Sequence, residues 1–161
     1  MAVDMFIQIG TIKGEATDSV HKDKIDVLAW SWGMSNAGNA QVGGGGGAGK
    51  VNMQDLSFTK YIDKASSYLQ LACATGAHQP DALLIVRKAG TKPLEYLKIK
   101  MTKVFITSVS TGGSGGEDRL TENITLNFAK VEFEDQPQND KGAADGAALK
   151  YAYDISKNIK V

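Results

Sequence analysis

A single cysteine, Cys73, stands in a chain of 161 residues, so no disulfide can form within it and the fold must hold without one. Charge of either sign is also lacking in excess. Eighteen basic side chains balance eighteen acidic ones, which removes the electrostatic case for nucleic acid or an anionic membrane as partner. No apolar run reaches the roughly 18 residues that a bilayer span needs. The start, Met1-Ala-Val-Asp-Met-Phe-Ile-Gln-Ile-Gly10, lacks the basic stretch, apolar stretch and small-residue cleavage site of a secretory leader. The two histidines, His21 and His78, lie in polar segments without metal-ligand spacing, and the expectation is that both are solvated loop residues. Gly-x-Ser-x-Gly, Cys-x-x-Cys and His-x-x-x-His are all missing. The residues therefore argue for no catalytic group, no cofactor and no metal, and against an enzyme. The length suits one domain, residues 1–161, with a real core.

What the chain does have is a run of glycines, Gly43 to Gly47, next to both tryptophans. Glycine loses the most backbone entropy on ordering, so the run is expected to be a surface loop. Gly44-x-x-x-x-Gly49-Lys50 also imitates a phosphate-cradling loop. That reading fails on chemistry: Val51 after the lysine has no oxygen for magnesium, and the polar segment Asn36 to Val42 before it is no buried strand.

Elsewhere the dominant period is two, which predicts strands. Val3, Met5, Ile7 and Ile9 share one face of the first. Ile25 to Met34 alternates, with Leu28, Trp30, Trp32 and Met34 on one side and Ile25, Val27, Ala29 and Ser31 on the other. Ala82 to Lys88 is a short core strand. Leu97, Ile99, Met101, Phe105 and Val109 share a face of a long one. Leu120, Ile124, Leu126 and Phe128 alternate with polar residues, and after Ala129 the apolar phase moves to Val131 and Phe133. One slipped residue there predicts a β-bulge or a strand bending from one sheet to another. Leu149, Tyr151, Tyr153 and Ile155 form the last strand. One segment has helical spacing: Tyr61, Ile62, Ala65, Tyr68, Leu69, Ala72 and Cys73 make a stripe, with Gly76 placed as a C-cap. This predicts a helix over about 63–75 in which Asp63 or Ser66 serves the first turn and Cys73 is a core residue. The fold expected is mainly β, a two-sheet β-barrel or sandwich with one flanking α-helix.

Ser110 to Arg119 is a glycine-rich loop between the two longest strands. Its end, Glu117-Asp118-Arg119, reads as an ion cluster at a subunit interface, because charged loops set register there. Pro137 to Ala148 reads as an exposed link. Trp30 and Trp32 read as packing or interface residues, since aromatics dominate buried area in both settings. Alternation sends Ser31 to the face opposite the two indoles.

Long, uncommon strings stand in a particular order: Asp26-Val-Leu-Ala-Trp-Ser-Trp-Gly-Met-Ser35, Gly43 to Lys50, Asp55-Leu-Ser-Phe-Thr-Lys-Tyr-Ile-Asp63, Ser108 to Asn123 and Thr125-Leu-Asn-Phe128. Together they resemble the haemolysin-coregulated protein (Hcp) family across nearly the whole chain. The resemblance implies a two-sheet barrel whose six copies form a ring. Rings stack into the inner tube of the type VI secretion system. It implies as partners further copies of the chain, the spike, the sheath and small effector proteins carried in the lumen. It also implies a cytoplasmic protein exported through that machine without a cleaved signal peptide. On it, Ser31 is the candidate lumen residue for effector contact, and Trp30, Trp32, Glu117, Asp118 and Arg119 are interface candidates. Glycine loops that order only on contact, at about 1–2 kcal/mol per residue, imply rings that stack weakly in isolation. The alternative is a stand-alone lectin-like β-module that stacks Trp30 or Trp32 on sugar.

Overall fold

The computed structural model describes residues 2–38 and 49–161. The expected glycine-run loop, Gly43 to Gly47, lies outside them. In chain order the elements are β1 (Val3–Ile9), β2 (Ile25–Asp26), β3 (Ala29–Ser31), β4 (Met34–Ser35), β5 (Asn52–Met53), β6 (Leu56–Tyr61), α1 (Ser66–Thr75), β7 (His78–Lys88), β8 (Glu95–Gly112), β9 (Thr121–Asp135), β10 (Leu149–Asp154) and β11 (Ile159–Lys160). Nine strands make one sheet in the order β11-β10-β9-β8-β7-β1-β2, with β6 also on β9 and β3 on β6. β4 and β5 form a separate two-stranded ribbon.

The sheet curls back on itself through the segment from β2 to β3. β2 pairs with β1, β3 pairs with β6, and the two residues between them bridge the gap: Val27 N–H donates to Met5 O at 2.9 Å and Leu28 N–H to Thr59 O at 2.8 Å. This closes a barrel running β9-β8-β7-β1-β2/β3-β6-β9. Closure gives partners to the backbone groups along the joined strands, but leaves the outer side of β3 and of β8 past Phe105 without one among the described residues.

The bend expected near Ala129 is present, and it crosses three strands. Pro80, Lys103 and Ala129 lie in one line across β7, β8 and β9, flanked by the pairs Gln79↔Val104 and Asp81↔Thr102 on one side and Thr102↔Lys130 and Val104↔Phe128 on the other. Pro80 has no N–H to donate, Lys103 has φ 55°, and the Ala129 carbonyl accepts from Ile155 N–H at 2.8 Å instead. Core-facing residues shift phase on both sides of this line while register is kept. Met101 and Val131 are buried partners below it, and Val104 and Phe128 are buried partners above it. Phe105, expected inside with Ile99 and Met101, therefore leaves the core and lies beside His78, ring centres 5.4 Å apart. A second slip between Ile106 and Ser108 returns Val109 to the core side.

A similar break corrects the Ile25–Met34 alternation. Ile25 and Val27 are buried, but the turn from β1 to β6 at Leu28 reverses the phase, so Ala29 and Ser31 point outward and Trp30 and Trp32 pack inward. The helix spans Ser66–Thr75 and ends on Gly76 at φ 71°, a left-handed conformation that glycine adopts at little cost. Its buried stripe is Ala65, Leu69 and Ala72, with Cys73 half-buried against the core. Tyr61 and Ile62, expected on this stripe, lie before the helix, at and just past the end of β6, and Tyr68 falls off the narrow i, i+4, i+7 face and is exposed.

Residues 13–24 cross the other face of β1 and β7 and bury a small second core of Phe6, Ala16 and Ile85, separate from the barrel interior. His21 belongs to it. At 4% exposure it is not the solvated residue expected: its Nε2 lies 2.6 Å from Glu95 Oε1, and Lys24 Nζ lies 2.8 Å from its Nδ1. Arg87 also enters, 5.1 Å over the Phe6 ring and paired with Asp18.

Candidate assembly and cargo surface

One face of the barrel is made almost wholly of small uncharged side chains, and pairing register explains why. Across β3, β6, β9 and β8 the outward residues form the row Ser31, Ser57, Thr125, Ser108, and beside it the row Ala29, Thr59, Asn123, Ser110. Each strand puts alternate residues on opposite faces, so the apolar partners Trp30, Phe58, Ile124 and Val109 point inward behind them. Hydroxyl and amide contacts knit the rows: Thr59 Oγ1 donates to Asn123 Oδ1 at 2.7 Å, and the Ser108 and Thr125 hydroxyls lie 2.7 Å apart. The one carboxylate there, Asp55, accepts from Thr107 Oγ1 at 2.7 Å and Asn127 Nδ2 at 2.9 Å. Ser31 sits in a depression of about 280 Å³ lined with Ser57, Thr59 and Asn123.

Beyond the bend the outward face changes character. Lys98, Glu134 and Lys150 are register partners across β8, β9 and β10, as are Lys100 and Glu132. Opposite charges placed directly across strands stabilise by a few tenths of a kcal/mol each and keep this face wet. The long β8–β9 pair thus carries two surfaces, one neutral and one charged.

The four-stranded neutral part has two unmatched edges. β3 pairs only with β6, and the stretch of β8 past Phe105 pairs only with β9, among the described residues. Glu117, Asp118 and Arg119 sit exposed at the tip that joins β8 to β9, beside the second of these edges. Arg119 lies over the Tyr61 ring at 3.8 Å, and neither carboxylate makes an ion pair among the described residues. Both tryptophans pack against the core behind the Ser31 row, although Trp30 also borders the depression. Trp32 Nε1 donates to Gln54 O at 3.1 Å, and its ring packs between Phe128 and Phe133 at 6.3 and 6.4 Å. The indoles therefore form part of the core boundary rather than an open sugar platform.

Two buried ionic groups lie outside any sequence motif. Lys60 and Glu122, both fully buried, face each other across β6 and β9, and Asp63 lies 2.8 Å from Lys60 Nζ. Ser66 Oγ donates to Glu122 Oε1 at 2.7 Å, which ties the pair to the first turn of α1. The signal was available: Lys60 follows Leu56 and Phe58 in core phase, and Glu122 precedes Ile124 and Leu126 in the same phase. In the second core, the Arg87 guanidinium holds the Asp18 carboxyl well below the usual carboxylate range, against the opposing effect of burial. Burial lowers the Lys24 ammonium. Burial also pushes Glu95 up, but hydrogen bonds from His21 and Lys98 outweigh it, leaving that group below its ordinary value.

A barrel with a neutral polar face, two free sheet edges and a buried ionic cluster offers surfaces for pairing with other chains. The chain belongs to the Hcp family of the type VI secretion system. The family described as "Type VI secretion system effector, Hcp" matches residues 6–134. The protein Hcp1 of Pseudomonas aeruginosa is 60% identical over 161 residues, covering 99% of each chain. The crystal structure of Hcp1 from Salmonella typhimurium superposes with a TM-score of 0.81 at 35% identity over the full length of both chains. Another solved structure, a type six secretion system protein, reaches 0.92 at 31% identity over 99% of this chain and 100% of its own. Hcp proteins are secreted structural proteins and not enzymes.

Proposed function

We propose that the chain is the subunit of a hexameric ring, that rings stack into the inner tube of the secretion machine, and that the neutral face around Ser31 lines the bore. The observation that carries this reading is the pair of free edges on the β3-β6-β9-β8 sheet. Every pairing within it is antiparallel, so β3 and β8 run in opposite directions. β8 of one copy then meets β3 of the next in antiparallel sense, and a heterologous contact repeated by rotation closes into a ring. The hydroxyl rows are left facing the axis, where a cargo protein slides past a surface whose one carboxylate, Asp55, is tied to Thr107 and Asn127 among the described residues. Ser31 is the cargo contact on this reading, and the spike, the sheath and small effectors are the partners. The protein is cytoplasmic before export and leaves through the machine itself. Trp30 and Trp32 support the β3 edge from behind.

Solution mass by light scattering during size exclusion, over a range of concentrations, tests it. A discrete species near six chains is expected, with longer stacks appearing only at high concentration. A monomer persisting at high concentration overturns the ring.

A further inference from the structure

The acidic tip between β8 and β9 and a lysine-lined groove at the foot of the barrel carry a second inference, which rests on the ring reading. The groove, about 340 Å³, lies where β1 ends and β2 begins, lined by Gln8, Lys13, Lys22, Asp23 and Lys24. It runs beside another groove, lined by Lys13, Lys64 and Tyr68. Three lysines thus face one carboxylate in the first, and Lys13 and Lys22 make no ion pair among the described residues. Lys24 is held back by His21. The tip carries Glu117 and Asp118, equally without a cation, and the half-exposed Leu120.

Strand direction decides which of these meet. Gly112, Thr121 and Tyr61 are register partners, so the tip stands at the Tyr61 end of the sheet. Ala29 pairs with Thr59, which puts the start of β3 at the same end. Just before β3, the chain passes through β2 and Lys24 into the groove. When the free edge of β8 meets β3 of the next copy in antiparallel sense, Gly112 arrives beside the start of that β3. The tip beyond Gly112 then continues over the neighbour's groove.

We infer that the tip Ser114–Leu120 of one copy docks on the Lys13/Lys22 groove of its neighbour in the ring, with Glu117 and Asp118 facing those lysines. The contact is heterologous: each copy gives a tip on one side and a groove on the other, so it repeats around a ring without self-pairing. Opposite charges brought together this way set orientation and register more than they set total affinity.

Charge reversal tests it. Glu117→Lys with Asp118→Lys, or Lys13→Glu with Lys22→Glu, is expected to raise the concentration for half-assembly on the order of tenfold or more. All four together are expected to recover assembly close to the unaltered chain. A disulfide readout stands beside it: Asp118→Cys with Lys22→Cys in a Cys73→Ser background should give, on oxidation, a ladder of covalent oligomers ending at the ring. Reversals that leave assembly unchanged, or an intact ring that yields no ladder, overturn the docking while the ring stands. An unaltered chain that never leaves the monomer overturns the ring reading, and the docking with it.

Discussion

Lys60 and Glu122 stand directly opposite each other on β6 and β9 with no exposure to solvent, and both lie in the phase that otherwise carries Leu56, Phe58, Ile124 and Leu126. A buried pair of this kind contributes little net stability, because desolvating two ions offsets their attraction. Removing one partner is another matter. Glu122 Oε2 already lacks a hydrogen-bond partner, so without Lys60 only the Ser66 hydroxyl is left to meet the buried charge.

Lys60→Met alone is therefore expected to destabilise the fold by about 3–5 kcal/mol, and Lys60→Met with Glu122→Leu to recover most of that loss. Urea denaturation at one fixed protein concentration, single variant against double, reads the difference. A double variant as unstable as the single one would mean that the pair contributes more than its own mutual compensation.

The second core makes stability depend on acid. Asp18 has its folded pKa depressed by Arg87, so the stability it contributes is fully present above its unfolded value, about 3.9, and is lost as pH falls below that value toward the folded one. Glu95 is depressed as well and acts with the same sign. Asp18→Asn is expected to lower the melting temperature at neutral pH and to flatten its fall between about pH 4 and 2. The gap between variant and parent should close at the acid end. Melting curves across that range check it.

Lys103 holds φ 55° at the bend. Glycine removes the steric cost of that conformation, and a β-branched residue adds to it. Lys103→Gly is expected to be neutral or stabilising by up to about 1 kcal/mol, and Lys103→Val to destabilise, both measured by thermal unfolding.

Trp32 joins the outer barrel to the sheet beyond the bend through Phe128 and Phe133, and Phe133 stacks in turn on Tyr151 at 5.8 Å. Trp32→Ala is expected to cost about 3–5 kcal/mol, and Trp32→Phe much less. Its half-buried indole should show only partial quenching by iodide, where a sugar-stacking platform would quench fully.

Much of this protein is legible in its sequence because its elements are long and their periods clean. The β-rich class, the helix ending on Gly76 and the phase change at Ala129 all follow from local pattern. Phe105 departs from its pattern for the opposite reason. The left-handed turn at Lys103 is invisible to alternation, since lysine gives no sign of positive φ. Alternation places Ile25 and Ser31 on one face because nothing local marks Leu28 as the point where the chain leaves β1 for β6. His21 read as solvated since its cover, Phe6 and Glu95, comes from distant strands.

The sequence by itself determined which residues are apolar partners and which are small and polar, and its uncommon strings identified the family. Tertiary structure alone decided that Ser31, Ser57, Thr125 and Ser108, far apart in sequence, stand in one row. It also decided that Lys60 would be buried against Glu122. The physical reason is the same in both cases. Alternation fixes a side chain's face relative to its neighbours on one strand, but only register between strands fixes what it meets across the sheet.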